Sequence, residues 1–571
     1  MEVALSLVIC FVGLSWSSLI APYRSLSLRQ ADSFVTSSAF LRRGHHASAV
    51  LDGFVYIDGG EFSYTAGGET VWQYSDTLVS VSLTQNWTNK TVPMNSIAKR
   101  SGVPNLVRGG LWVDHVNKTL YTGFCGTPSS FGDKPFVPNG LWQYTPDREG
   151  SSGKWENLND TVSSSFQNEI RPNGCLVASG KGFGYSLGGL VGGYDPNDDY
   201  NASGLISYDY TTGDMTHTTV VGGSTRGVVQ NGGLIFVPNF GPAGVMVSIG
   251  GDQLGKITKG ALDLVSMNTV QLFDPATGNW YEQAVTGNIP EIRKDFCVAG
   301  VASDNQTFEI FLYGGWAGQY GSAALPYDSI YVLTLPGFNW VKADYPARNP
   351  RTGLTCEAVG GGQILTIGGL DPTHKDPNNR YMGTYETSDP MTHGLGLFDM
   401  GSMEWKGSFI ANASVYTPSD VVMEFYKTHS RLSALNSTEL TALFSVQNFT
   451  GTSTVNTVSS PSPSSSSPIN KRINKGAIIG GVVGGIAGLA LTVVAALYFF
   501  TRSRRLQPTT NVAQPSYDGY EHMPELETAG ANACNLVPKT EMPTNEVYEL
   551  AGGPSQSNLN ILDTVENRAT K

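Results

Sequence analysis

Charge is scarce in this chain of 571 residues: Asp, Glu, Lys and Arg make up 15% of it, against about 25% in an ordinary soluble protein. The charge present leans acidic, with a formal net charge of -12. Without a basic footprint, nucleic acid is excluded as a partner class. Cysteine is sparse as well, six residues with no C-x-x-C pair, which argues against a disulfide-dense scaffold and against a structural zinc site. The P-loop and H-E-x-x-H signatures are missing, so the sequence offers neither a phosphate cradle nor a zincin helix. Glycine, by contrast, is abundant: 67 residues, about 12% where about 7% is usual, beside 10% aromatics. That mixture predicts short strands joined by tight turns, in a chain too long for one ordinary core.

Two apolar stretches predict the cellular address. Val3–Leu14 is apolar and is followed by Ser15, Ser17 and Ala21, which reads as a signal peptide over residues 1–21, although Met1-Glu2 lacks the usual basic residue. Gly476–Phe500 runs 25 residues without a charge, roughly 37 Å as a helix, enough to cross a bilayer. Basic residues flank it evenly, Lys471, Arg472 and Lys475 before and Arg502, Arg504 and Arg505 after, so charge alone does not orient it. Sequons do. Asn86, Asn89, Asn117, Asn159, Asn201, Asn305, Asn412, Asn436 and Asn448 all precede the span and none follows it. The expected arrangement is type I and single-pass, at the plasma membrane or in the endomembrane system, with the N-terminal part extracellular or lumenal.

The remaining boundaries follow from composition. Residues 22–450 form the ectodomain, and the Ser/Thr/Pro-rich stretch 451–475 has too little to bury and reads as a stalk. The polar tail 501–571, with Tyr517, Tyr520 and Tyr548, reads as disordered and cytoplasmic. Overlapping G-x-x-x-G spacings at Gly480/Gly484, Gly481/Gly485 and Gly484/Gly488 allow close helix approach and predict a dimer through the span; simple tolerance of glycine in lipid is the alternative.

The ectodomain repeats itself. An apolar run ending in paired glycine recurs as FVYIDGG (54–60), FGYSLGG (183–189), MVSIGG (246–251), FLYGG (311–315) and ILTIGG (364–369), with LYTGFCG (120–126) as a degenerate copy. Each copy is followed by Trp87, Trp155, Met215, Trp280, Trp340 or Trp405. In three copies an aromatic-Asp pair precedes that residue at fixed spacing: Tyr208-Asp209, Phe273-Asp274 and Phe398-Asp399. FDPATGNW predicts a strand, an Asp-initiated turn with glycine at positive φ, and a strand opening with Trp. An arginine opens each unit: Arg43, Arg108, Arg171, Arg226, Arg293 and Arg351. Four-stranded units of this kind bury both faces only by packing radially.

Gly-Gly followed by Trp resembles the kelch repeat, and over about residues 42–410 the chain resembles the kelch-repeat type I membrane proteins of filamentous fungi. The resemblance implies an all-β kelch-type β-propeller of six blades, with a seventh as the alternative, Ser414–Tyr426 then supplying a closing strand or the start of that blade. No Trp-Asp dipeptide is present, which separates the chain from WD-repeat propellers.

Alternating strands bring the loops after Gly-Gly and the six arginines to one face. That face is expected to bind a glycan or an extracellular protein through Arg43, Arg108, Arg171, Arg226, Arg293 and Arg351, with Trp72, Trp316, Tyr320 and Tyr381 as stacking surface. Equally, an arginine in every copy is what an architectural role produces. Cys125, Cys175, Cys297 and Cys356 fall in adjacent blades as two pairs, 125–175 and 297–356; free thiols are the alternative. The enzymatic alternative is a galactose oxidase-like copper radical oxidase, which the resemblance also admits. Its Tyr-His ligand dipeptide is absent, and His45-His46 reads as well as a core pair. Asp195, Asp198 and Asp199 lack full Ca²⁺-loop spacing. No cofactor or metal is expected.

The topology is directly testable. Glycosidase should lower the mass of the membrane-bound protein by several glycans, and protease outside intact cells should spare the segment after Arg502. A digested tail with a protected ectodomain would reverse the orientation.

Overall fold

The computed structural model describes residues 35–129, 131, 140–162, 173–191, 200–201, 204–218, 229–253, 263–374 and 380–449. The expected signal peptide, stalk, membrane span and tail lie outside the described residues, as do Arg171, Arg226, Asp195, Asp198 and Asp199. Among the described residues, no helix is long and apolar enough to cross a membrane.

The propeller is built from six sheets, each with four antiparallel strands in chain order from inside to outside; the fifth adds the short strand Thr286–Gly287, parallel to Asn339–Lys342, at its outer edge. They begin with Ala47–Leu51, Trp112–Asp114, Leu176–Gly180, Gly233–Val237, Lys294–Ala302 and Thr355–Gly360. Each of these first strands packs beside the next, and the sixth packs beside the first, which closes a ring around a central channel. This is a propeller of six blades, numbered here in chain order. The second strands, such as Phe54–Asp58, Val245–Ile249 and Gln363–Ile367, are buried along their whole length between neighbouring blades. That sandwiching is why they appear in the sequence as continuous apolar runs rather than alternating ones.

The aromatic-to-Trp spacing has a cross-strand cause. Tyr144 faces Trp155, Tyr208 faces Met215, Phe273 faces Trp280 and Phe398 faces Trp405 in the third-to-fourth hairpins. The Phe273 and Trp280 rings meet at 5.0 Å. Between them Asp274 organises the turn, its carboxylate accepting from Ala276 N at 2.9 Å and from Thr277 Oγ1 at 2.9 Å, and Gly278 takes φ 74°. Trp87 departs from the pattern. It lies in the two-residue strand Trp87–Thr88, ahead of the outer strand Met94–Ala98 of blade 1.

Gly-Gly exists because consecutive blades touch there. The second glycine donates its N–H to a carbonyl at the entry of the next blade: Gly60 to Leu106, Gly189 to Val229, Gly251 to Arg293, Gly315 to Arg351 and Gly369 to Arg43, at 2.6 to 3.1 Å. A Cβ on Gly59 would stand 2.1 Å from the Leu106 oxygen, and one on Gly188 2.1 Å from that of Val229. No side chain fits such an approach.

After blade 6, Ser408–Phe409 pairs with Trp87–Thr88, and Phe409 stacks on Trp87 at 5.2 Å. This seam joins the last blade to the first. The expectation of a closing strand or seventh blade at 414–426 is therefore corrected: the ring is already closed, and Asp420–Thr428 is a helix. Helical spacing places Val422 in the core, while Phe425 and Tyr426 press on Gly337 of blade 5. A second helix, Thr438–Ser445, inserts Phe444 against Phe240 and Phe338. The segment thus crosses blades 5 and 4 on the face opposite the long loops, ending with Asn448 N bonded to Asn239 O at 2.8 Å.

Beneath this belt the Glu309 side chain is fully buried and accepts from Thr334 Oγ1 at 2.9 Å, which also contacts Tyr426 Oη at 3.0 Å. Burial pushes its carboxyl up to about 7 from 4.5. A raised carboxyl pKa stabilises the fold fully below about 4.5, and that contribution is lost as pH rises through about 7. The melting temperature should therefore fall between pH 5 and pH 8, and Glu309→Gln should flatten part of that fall. A Glu309→Gln profile parallel to wild type would remove this group from the account. Independently, Phe409→Ala should cost about 3–5 kcal/mol, read by denaturant titration, because it empties the seam.

Candidate functional site

One residue from each blade meets at the mouth of the channel: His45, Arg108, Gly174, Asn231, Asp295 and Gly353. All six have φ between 53° and 67°. Each donates its N–H to the carbonyl of the residue in the preceding blade: His45 to Gly353, Gly353 to Asp295, Asp295 to Asn231, Asn231 to Gly174, Gly174 to Arg108 and Arg108 to His45, at 2.7 to 3.2 Å. The circuit is closed. It requires the left-handed conformation six times, which Gly accepts freely, which Asn, Asp and His tolerate better than most residues, and which costs Arg more.

Four of the six positions carry side chains. Arg108 of blade 2 reaches across the axis to Asp295 of blade 5, with which it is ion-paired, and its Nη1 also donates to Asn231 Oδ1 at 2.8 Å. Although burial pulls the other way, Arg108 and Lys294 hold the Asp295 carboxyl below its usual range. Burial, reinforced by Arg108, pushes the His45 imidazole down to about 4, so it is neutral at neutral pH. The Tyr381 ring lies parallel to His45 at 6.3 Å. Its hydroxyl donates to Glu61 Oε2 at 3.1 Å; Tyr385 Oη donates to the same atom at 2.8 Å, and Ser129 Oγ to Oε1 at 2.6 Å. Trp316 and Tyr320 stack at 4.8 Å beside Lys294, which is itself paired to Asp252 at 2.8 Å. Burial, with Asp295 adding to it, pushes Tyr320 up to about 12. Trp72 stands further out, against Phe131, Leu370 and Tyr385.

Arg108, Trp316, Tyr320 and Tyr381 are thus brought together, but the six arginines are not one class. Arg43, Arg293 and Arg351 sit two positions before a ring residue, whereas Arg108 is itself a ring residue; its equivalent in blade 2 is Leu106. Arg293 and Arg351 are buried, and each donates Nη1 to the first glycine carbonyl of its own blade, Gly314 at 3.2 Å and Gly368 at 2.6 Å. Arg351 is also paired with fully buried Asp389 at 3.0 Å. These two guanidiniums brace the loops and present nothing to a ligand. Arg43 is half-buried, its guanidinium 5.4 Å over the Phe62 ring and its Nη1 buried without a hydrogen bond. The neighbouring Arg42 holds the Asp371–His393 loop through Thr387 and Ser388. Asn231, Asp295 and Glu61 escaped the sequence reading because nothing repeats around them; only their backbone conformation is shared.

Below the ring lies a cavity of about 220 Å³ lined by the ring residues and the residues that follow them in all six blades. Glu357 faces it with Ser48 Oγ donating at 2.7 Å, and burial pushes its carboxyl up to about 7. Disulfides Cys125–Cys175 and Cys297–Cys356 tie blade 2 to blade 3 and blade 5 to blade 6 beside this channel, with Cα atoms 6.6 and 5.4 Å apart.

The copper alternative does not fit these residues. Among the described residues all four cysteines are in disulfides, leaving none for a Tyr–Cys crosslink, and no three His, Cys, Asp or Glu converge on a metal position. A G-x-S-x-G string does occur, Gly184–Gly188. It runs along the strand Phe183–Leu187, and Ser186 is buried in mid-sheet, so it is no nucleophile elbow.

Sequons distribute unevenly. Asn86, Asn89, Asn117 and Asn305 lie in turns on the face opposite the mouth, and Asn412, Asn436 and Asn448 lie on the C-terminal segment. Asn159 and Asn201 lie on the mouth side of blades 2 and 3. The mouth side of blades 4, 5, 6 and 1 has none.

No family model matches the chain. It is similar to a kelch repeat-containing protein of Arthroderma benhamiae, with 24% identity in a 416-residue alignment that covers 65% of this chain. The chain spans 57% of the length of that relative. Six blade sheets, each with four antiparallel strands at its heart, and this similarity agree on an all-β fold of the kelch-propeller kind.

Proposed function

We propose that the chain is a membrane-anchored, non-enzymatic binding module of the cell surface, whose site is the channel mouth and whose ligand is a cell-wall glycan or an extracellular protein. The observation that carries this reading is the convergence of Arg108, Asp295, Asn231 and His45, from four blades, beside Trp316, Tyr320 and Tyr381. Rigid scaffolds with aromatic loops are where recognition concentrates. The arc carrying these aromatics is also the arc without sequons, so the chain's own glycans do not screen it. The relative's description as a kelch repeat-containing protein supports an interaction module and nothing narrower.

The site lies in short loops, not in the whole Asp371–His393 segment, because that segment contributes Asp389 and Tyr385 to the core. Trp316→Ala combined with Tyr320→Ala should therefore lower binding to isolated cell walls or whole cells at least about tenfold, with the melting temperature within a few degrees of wild type. Undiminished binding by that folded variant would move the site to the opposite face.

A further inference from the structure

The ring positions carry an imbalance in cost. Glycine serves at Gly174 and Gly353 without strain, and Asn231 and Asp295 accept a positive φ comparatively easily. Arg108, a long side chain at φ 55°, is held in an uncommon conformation where glycine would close the same backbone circuit. Its side chain spans the axis, and both of its hydrogen bonds use Nη1. The rest of the fork is therefore a preset donor edge at the channel mouth.

We propose that this edge, with the Asp295 carboxylate beside it, holds a neutral pyranose ring from a cell-surface glycan. The inference rests on the binding-module reading above and narrows its ligand. Neutrality follows from charge pairing: Arg108 is already matched by Asp295 and Lys294 by Asp252, so an anion meets no uncommitted cation there. A guanidinium next to a carboxylate supplies a donor and an acceptor side by side, which is what two vicinal hydroxyls require. The stacked Trp316–Tyr320 pair and Tyr381 supply flat surfaces for the C–H face of a sugar.

The test uses the full-length glycosylated protein in detergent, titrated calorimetrically with linear hexamers of glucose, mannose, galactose and N-acetylglucosamine. A uronic-acid hexamer and hexa-aspartate serve as charged comparators. At least one neutral hexamer should bind, and Arg108→Asn, which keeps a residue tolerant of positive φ, should weaken it at least about tenfold while the melt is retained. Arg108→Lys, keeping the charge but losing the fork, should weaken it similarly and guards against misfolding of the first variant. Stronger binding of either charged probe, lost in Arg108→Asn, would overturn the neutral-sugar assignment and leave the mouth as the site. Neutral binding unchanged in both folded variants would overturn the role of Arg108. Silence from all neutral hexamers would overturn the proposal outright.

Discussion

Six backbone hydrogen bonds, one per blade, hold the centre of this molecule. A propeller has no single core; each interface between blades is a separate hydrophobic contact, and small errors in blade angle accumulate around the circle. The circuit through His45, Arg108, Gly174, Asn231, Asp295 and Gly353 removes that freedom, because every member must adopt the same left-handed turn to donate backward and accept forward. The Gly-Gly carbonyl contacts lie just outside it and repeat the same logic at a larger radius. Between them, five of the six blade junctions carry two backbone contacts each among the described residues.

That constraint also explains why the site lies where it does. Residues forced to one radius by backbone geometry necessarily point their side chains into one small volume. Where the side chain is absent, as at Gly174 and Gly353, the volume stays open. Where it is Arg108 or Asp295, it becomes polar and spans the axis. Burial then does the rest: it keeps His45 neutral and raises Tyr320, so the mouth at neutral pH sets the pairs Arg108–Asp295 and Lys294–Asp252 among aromatic rings.

Much of the fold was legible in the sequence because its causes are local. Phe273 and Trp280 oppose each other across a turn whose Asp274 and Gly278 are conspicuous residues, and that spacing recurs. The Gly-Gly pairs were legible for a similar reason, since only glycine tolerates the carbonyl approach. The ring was not. Its six members share a φ value rather than a residue type, and aligning blades by their arginines set Arg108 level with Arg293 and Arg351, whereas its structural counterparts are Asp295 and Gly353, two positions later. The helix at Asp420–Thr428 was missed because SVYTPSDVVMEFY looks strand-like until the seam at Phe409 is known to have closed the ring.

The C-terminal belt has a mechanical consequence. Tension applied beyond Phe449 would first load the bonds of Val446, Gln447 and Asn448 to the turn around Phe240, then draw Phe444 from its pocket, then strip Arg431 from the carbonyls of Asn305 and Gln306. Only after Tyr426 left Gly337 would the pull reach the Trp87–Phe409 seam. The contacts stand in series, so they would yield one at a time, as a zip does, rather than sharing the load as parallel strands in shear would. Pulled from that end, the segment would release in stages before the load reached the ring.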